Sequence, residues 1–166
     1  MTTTPLTQPT GRELVEEWVT ELKSGRWRQG HGFLATRITD SVDGEDHPKN
    51  FAYCCLGVLC EVLVRRGLLS RLEPNPLQER TRRSYGDTSG EPGATSQTVL
   101  PIGALRALND TTLARPITDL GRIPLALRGT VAQRNDTLVA LNDHERASFD
   151  RIASVVRDTF LSETAV

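Results

Sequence analysis

Apolar positions concentrate in one stretch of the chain. From Phe51 to Val64 (FAYCCLGVLCEVLV), fourteen residues carry a single charge, Glu61, and a single glycine, Gly57. Leu56, Leu59 and Leu63 mark one flank of a 3.6-residue wheel; Cys55, Val58 and Val62 mark another. A helix apolar on all sides is buried on all sides. At about 1.5 Å per residue it spans roughly 21 Å, the width of a small domain and too short for a bilayer. Arg65 and Arg66 suit the negative end of a helix dipole, and Gly67 suits a left-handed stop. The pattern predicts a central core helix over this whole stretch.

Two amphipathic helices flank it. Thr10 and Glu13 form a capping box ahead of Leu14, Val15, Trp18, Val19 and Leu22, and Ser24-Gly25 closes the run. Ser148 caps a last helix whose stripe is Phe149, Ile152, Ala153, Val156 and Phe160. Phe33 to Ile38, after Gly30 and Gly32, reads as a strand, with Thr98 to Leu100 as a candidate partner. A short helix is expected over Pro101 to Leu108, with proline in its first turn. Another runs through Leu138, Val139 and Leu141, capped by Asp136 or Thr137 and broken by Asn142-Asp143. Residues 73–98 hold three prolines and three glycines and read as a long loop. The expectation is a mainly helical α+β fold: one domain over residues 10–162, with a small sheet or hairpin and polar tails at 1–9 and 163–166. Ala107-Leu108-Asn109-Asp110 recurs as Ala140-Leu141-Asn142-Asp143, but the flanks disagree and no repeat follows.

Composition narrows the functions. Twenty Lys and Arg against 21 Asp and Glu leave a net charge of −1, which argues against a general nucleic-acid binder. LVALNDHERASFDRIASVV resembles the first part of a helix-turn-helix, yet the sequence offers no recognition helix after it. Three cysteines, two of them adjacent in an apolar run, do not make a disulfide framework, and no signal-peptide pattern is visible. These features imply a cytoplasmic chain with reduced thiols and no membrane partner. Cysteine and histidine spacings match no metal motif, so neither metal nor cofactor is expected.

Two chemistries remain. Cys54 and Cys55 fall where helix amides lower a thiol pKa, with His31, His47 or His144 as a possible base. YCCLGVLCEVLVRRGLL is similar to the cysteine-led helix of the NlpC/P60 peptidases. With Cys55 as nucleophile, Cys54 and Leu56-Gly57 stand where that pattern has Asp and Ser-Gly. The other chemistry is anion binding. Only Lys23 and Lys49 are lysines, so the cations are arginines, whose planar donors suit phosphate and carboxylate. Arg65, Arg66, Arg71, Arg80, Arg82 and Arg83 form one candidate set; Arg28, His31 and Arg37, around Gly30 and Gly32, form a candidate rim.

The chain also resembles a family of small uncharacterised proteins of tailed phages and prophages. The likeness rests on the Trp18 helix, Gly30-x-Gly32-x-Leu34, Tyr53 to Cys60 (YCCLGVLC), Leu100-Pro101, Leu141-Asn142-Asp143 and Ser148-Phe149-x-x-Ile152-Ala153. It implies a phage origin and an accessory role in the host cytoplasm, with no catalytic residues to carry over. The reading is a non-catalytic binding protein that engages a host protein or sequesters a small anionic, nucleotide-like ligand against host defence. A cysteine-dependent hydrolase or transferase is the alternative. Homo-oligomerisation stays open.

Overall fold

The computed structural model describes residues 8–38, 48–72, 81–87, 95–98, 100–108, 113 and 138–162. Helix α1 (Gly11–Lys23) starts at the predicted capping box: Thr10 accepts from the Glu13 amide while the Glu13 carboxylate takes the Thr10 N–H. Its apolar stripe packs on α2 (Cys55–Arg65) and on the last helix, α5 (Phe149–Phe160), which Ser148 caps. Trp18 is fully buried and donates its indole N–H to the Cys55 carbonyl at 2.9 Å, tying α1 to the first turn of α2. The short helices α3 (Ile102–Leu108) and α4 (Leu138–Asp143) complete the helical layer among the described residues. The architecture is the mainly helical α+β class.

The core helix is shorter than its apolar stretch. Phe51–Tyr53 forms strand β3, and Cys54, in an extended conformation, becomes the N-cap of α2. The reason is pairing on both edges. On one side β3 runs parallel to β1 (Arg28–Gln29); on the other it runs antiparallel to β2 (Ala35–Arg37). A continuous apolar run suits a strand covered on both faces as well as it suits a buried helix, and periodicity cannot separate the two.

The 73–98 stretch is likewise not one loop. β4 (Ser70–Leu72), β5 (Ser84–Gly86) and β6 (Thr95–Ser96) form an antiparallel sheet; residues 73–80 and 88–94 lie outside the described ones. The pairing expected for Thr98 to Leu100 falls slightly earlier, where Leu34 donates to the Gln97 carbonyl at 2.7 Å. Just before β5, Arg83 donates to the Ala35 carbonyl and Arg37 to that of Thr81, so this segment adds a fourth rung to the β1–β3–β2 sheet. The chain then runs from one sheet into the other. The expected caps of α4, Asp136 and Thr137, are outside the described residues, and α4 ends at Asp143, where the break was expected.

Helix α2 lies unusually close to the sheet. A Cβ built on Gly57 would sit 1.7 Å from the Leu34 carbonyl oxygen, so only glycine fits. Gly57→Ala is expected to prevent folding to the native state, because backbone rather than a movable side chain occupies the space. Circular dichroism and thermal unfolding of the purified variant check this, and a cooperative transition near the parent Tm would refute it.

Candidate functional site

Glu61, the charge in the middle of the apolar run, is 1 % exposed. It accepts from Arg83 Nη1 at 3.0 Å, Tyr85 OH at 2.7 Å and Arg71 Nε at 3.1 Å. Arg83 Nη1 also donates to Tyr53 OH at 3.1 Å, and its guanidinium lies 3.9 Å from the Phe51 ring centroid. Burial, and then the Glu61 charge, push the Tyr85 and Tyr53 hydroxyls well above the usual phenol range, so both act as fixed neutral donors or acceptors. Two arginines of the predicted set are thus spent on the core: Arg83 and Arg71 hold Glu61.

Arg65 and Arg66 are also held. Arg65 bridges Glu17 at 3.1 Å and Glu21 at 2.8 Å, and Arg66 pairs with Glu17 at 2.7 Å, locking the end of α2 to α1. Burial raises the Glu21 carboxyl, but Arg65, Trp27 and Arg26 outweigh it and leave its pKa lowered. Arg80 and His47 lie outside the described residues. The Arg65–Arg83 series therefore does not form one cationic patch among the described residues. Sequence proximity misled here because the acidic partners come from another helix and from inside the apolar run.

The thiols are sealed. Cys54, Cys55 and Cys60 are 7 %, 1 % and 0 % exposed. Burial pushes the Cys54 thiol up to about 12; the Gly57 and Leu56 amides pull it down and the nearby Asp143 carboxylate pushes it further up. The amides at the start of α2 act as expected in direction, but desolvation outweighs them. Cys55 and Cys60 are raised further, again chiefly by burial. His31 meets Asn142 and Asp143 rather than a thiol, and His144 is exposed beyond α4.

What comes together is the outer face of the first sheet. Paired residues on neighbouring strands point to the same side. Arg28 pairs with Ala52, Ala52 with Thr36, and Thr36 with Arg82. These four form one row, and at about 4.8 Å per strand its ends are roughly 14 Å apart. Arg28 is exposed at one end. At the other, Arg82 stacks 3.7 Å above the centre of the Phe33 ring. Between them lie two small residues, the buried Ala52 and the half-buried Thr36. Arg37 belongs to the opposite face, 5.6 Å from the Phe51 ring, and is separated from this row.

Beyond Arg28 the chain is pinned by Asn142, which is fully buried. Its side chain donates to the Gly30 carbonyl at 3.0 Å and to Asp143 at 2.6 Å, and accepts from Gln29 at 3.1 Å. Gln29 also donates to the Ala147 carbonyl at 2.7 Å. The Asn142 carbonyl accepts a hydrogen bond from His31 Nδ1–H at 2.9 Å, so Nδ1 is the nitrogen that carries hydrogen. Neither Gln29 nor Asn142 stood out in the sequence as a site residue. The recurring Ala-Leu-Asn-Asp was the available signal.

Against known proteins, one family model matches residues 11–160, nearly the whole chain. The chain belongs to DUF8296, a domain of unknown function. No curated protein and no solved structure matches it. Among the described residues of this DUF8296 chain, no three His, Cys, Asp or Glu side chains converge to hold a metal, and no helix is long and apolar enough to cross a membrane.

Two outcomes follow from the buried groups. Glu61→Ala leaves Arg83 buried without its carboxylate and is expected to cost about 3–5 kcal/mol in denaturant unfolding. Glu61→Leu combined with Arg83→Met is expected to cost much less than that. Cys54 has a folded pKa above its unfolded value of about 8.5, so its contribution to stability is complete below that pH. The contribution is lost as pH rises toward about 12. Unfolding midpoints measured from pH 7 to 11 should fall above pH 9, and iodoacetamide at pH 7 should leave all three thiols unmodified until denaturant is added. Rapid native alkylation of Cys54 would overturn this picture of the site.

Proposed function

We propose that this protein is a non-catalytic binding protein that captures a small anionic, nucleotide-like ligand on the outer face of the β1–β3–β2 sheet. The observation that carries the reading is the row Arg28–Ala52–Thr36–Arg82: two arginines on one face of the sheet, separated in register by two small residues. Planar guanidinium donors suit phosphate and carboxylate oxygens, and an arginine stacked on an aromatic ring is held in one orientation before ligand arrives. The span of roughly 14 Å suits a ligand larger than a single phosphate group. A thiol held neutral by burial favours binding over covalent catalysis. The phage-type resemblance supplies the setting for this proposal: an accessory protein in the infected cell's cytoplasm that withholds a small signal from host defence.

Isothermal titration with a panel of mono- and dinucleotides tests the reading directly. At least one should bind with measurable heat, and Arg28→Ala and Arg82→Ala should each weaken it about ten-fold or more, as expected for a charge-assisted hydrogen bond. Both variants should keep the parent Tm within a few degrees. No heat with any member of the panel, or affinity indifferent to both substitutions, would refute the proposal.

A further inference from the structure

The segment between β1 and β2 carries a feature that its side chains do not explain. Gly30 donates its amide to the Tyr53 carbonyl at 2.7 Å, and Leu34 donates to Gln97 at 2.7 Å. Between them, the amides of His31, Gly32 and Phe33 have no acceptor among the described residues. His31 and Gly32 are exposed. Gly32 has φ +76°, whereas His31 keeps the ordinary negative φ. A right-handed helical residue followed by a left-handed one turns successive N–H groups toward a common centre, the main-chain nest that binds anions. A Cβ at Gly32 would touch nothing within 4 Å, so glycine serves the backbone conformation here rather than packing.

The turn is anchored at both ends. Asn142 grips the Gly30 carbonyl and the His31 ring, and Gln29 is fixed on Asn142 and Ala147, so the segment enters and leaves the turn from anchored positions. Arg28 stands at the start of the same segment, exposed and with no ion pair to a described residue. His31 adds no second donor, because with Nδ1–H on the Asn142 carbonyl the Nε2 of a neutral imidazole is an acceptor. Among the described residues, the Asp143 carboxylate lies 3.8 Å from Nδ1.

We propose that the His31–Phe33 turn is a phosphoryl-binding nest, its three main-chain amides assisted by Arg28. This deepens the reading of the outer face and rests on it: the nest takes the phosphate of the ligand, and the Phe33–Arg82 stack lies toward the ligand's other end. Three converging amides can be met by the three free oxygens of a phosphoryl group but by only two of a carboxylate, so the nest is assigned to phosphate.

The test is two-dimensional 15N–1H NMR of the full chain titrated with inorganic phosphate, AMP, a 5′-phosphorylated dinucleotide and citrate. Saturable shifts of the His31, Gly32 and Phe33 amides are expected with the three phosphates, tightest for the dinucleotide, and weaker with citrate. Gly32→Ala, which disfavours the positive φ without a steric clash, should lower phosphate affinity several-fold while leaving the amide spectrum of α1 and α5 in place. If the phosphates shift only residues near Thr36 and Arg82, the outer-face site survives and the nest is refuted. If none of the four ligands shifts either region, both fail. Equal shifts from citrate and phosphate would overturn the claimed selectivity.

Discussion

A carboxylate buried inside an apolar helix constrains this fold more than any other feature. Glu61 is surrounded by α2 residues that exclude water, so its charge must be met by protein donors or not be there at all. The donors come from Arg71 on β4, Arg83 just before β5 and Tyr85 on β5, with Tyr53 on β3 as the next link. Satisfying one oxygen pair therefore fixes both sheets against the same helix. Arg83 is central to this arrangement. Its backbone extends the first sheet through Ala35, and its side chain bridges Tyr53 and Glu61 over the Phe51 ring.

That requirement also sorts the arginines. Those facing the core side of the sheet are consumed by Glu61 or by aromatic rings, and those at the end of α2 by the carboxylates of α1. What the fold leaves on the outer face is a matter of strand parity. Arg83 and Arg37 point inward because they are one residue away from Arg82 and Thr36, which point outward. A single-residue change in register would exchange the two sets and dismantle both the core ion cluster and the candidate ligand row.

The cysteine helix illustrates competition between two electrostatic effects. Helix amides lower a thiol's pKa, and burial raises it. Placing Cys54 at the N-cap brought the first effect, but tight packing made the second larger. The closeness behind that packing is set at Gly57, where the missing side chain lets the Leu34 carbonyl approach the helix. The same residue that admits the helix to the sheet keeps solvent from the thiol.

Local patterns in the sequence determined the two flanking helices, their caps and the class of fold, because capping and amphipathic stripes depend on neighbours within one or two turns. They also marked Gly30, His31 and Gly32 as a turn before the strand. They could not separate Phe51–Tyr53 from the helix that follows, since a strand buried on both faces and a buried helix share one composition. Nor could they show which arginines remain for a ligand, or that Asn142 would grip the Gly30 turn from 112 residues away. Those points depend on strand register and on partners distant in the chain. Only the tertiary structure brings Glu61 to Arg83, Glu17 to Arg65 and Arg28 into line with Arg82, because charge pairing and facing are properties of neighbours in space.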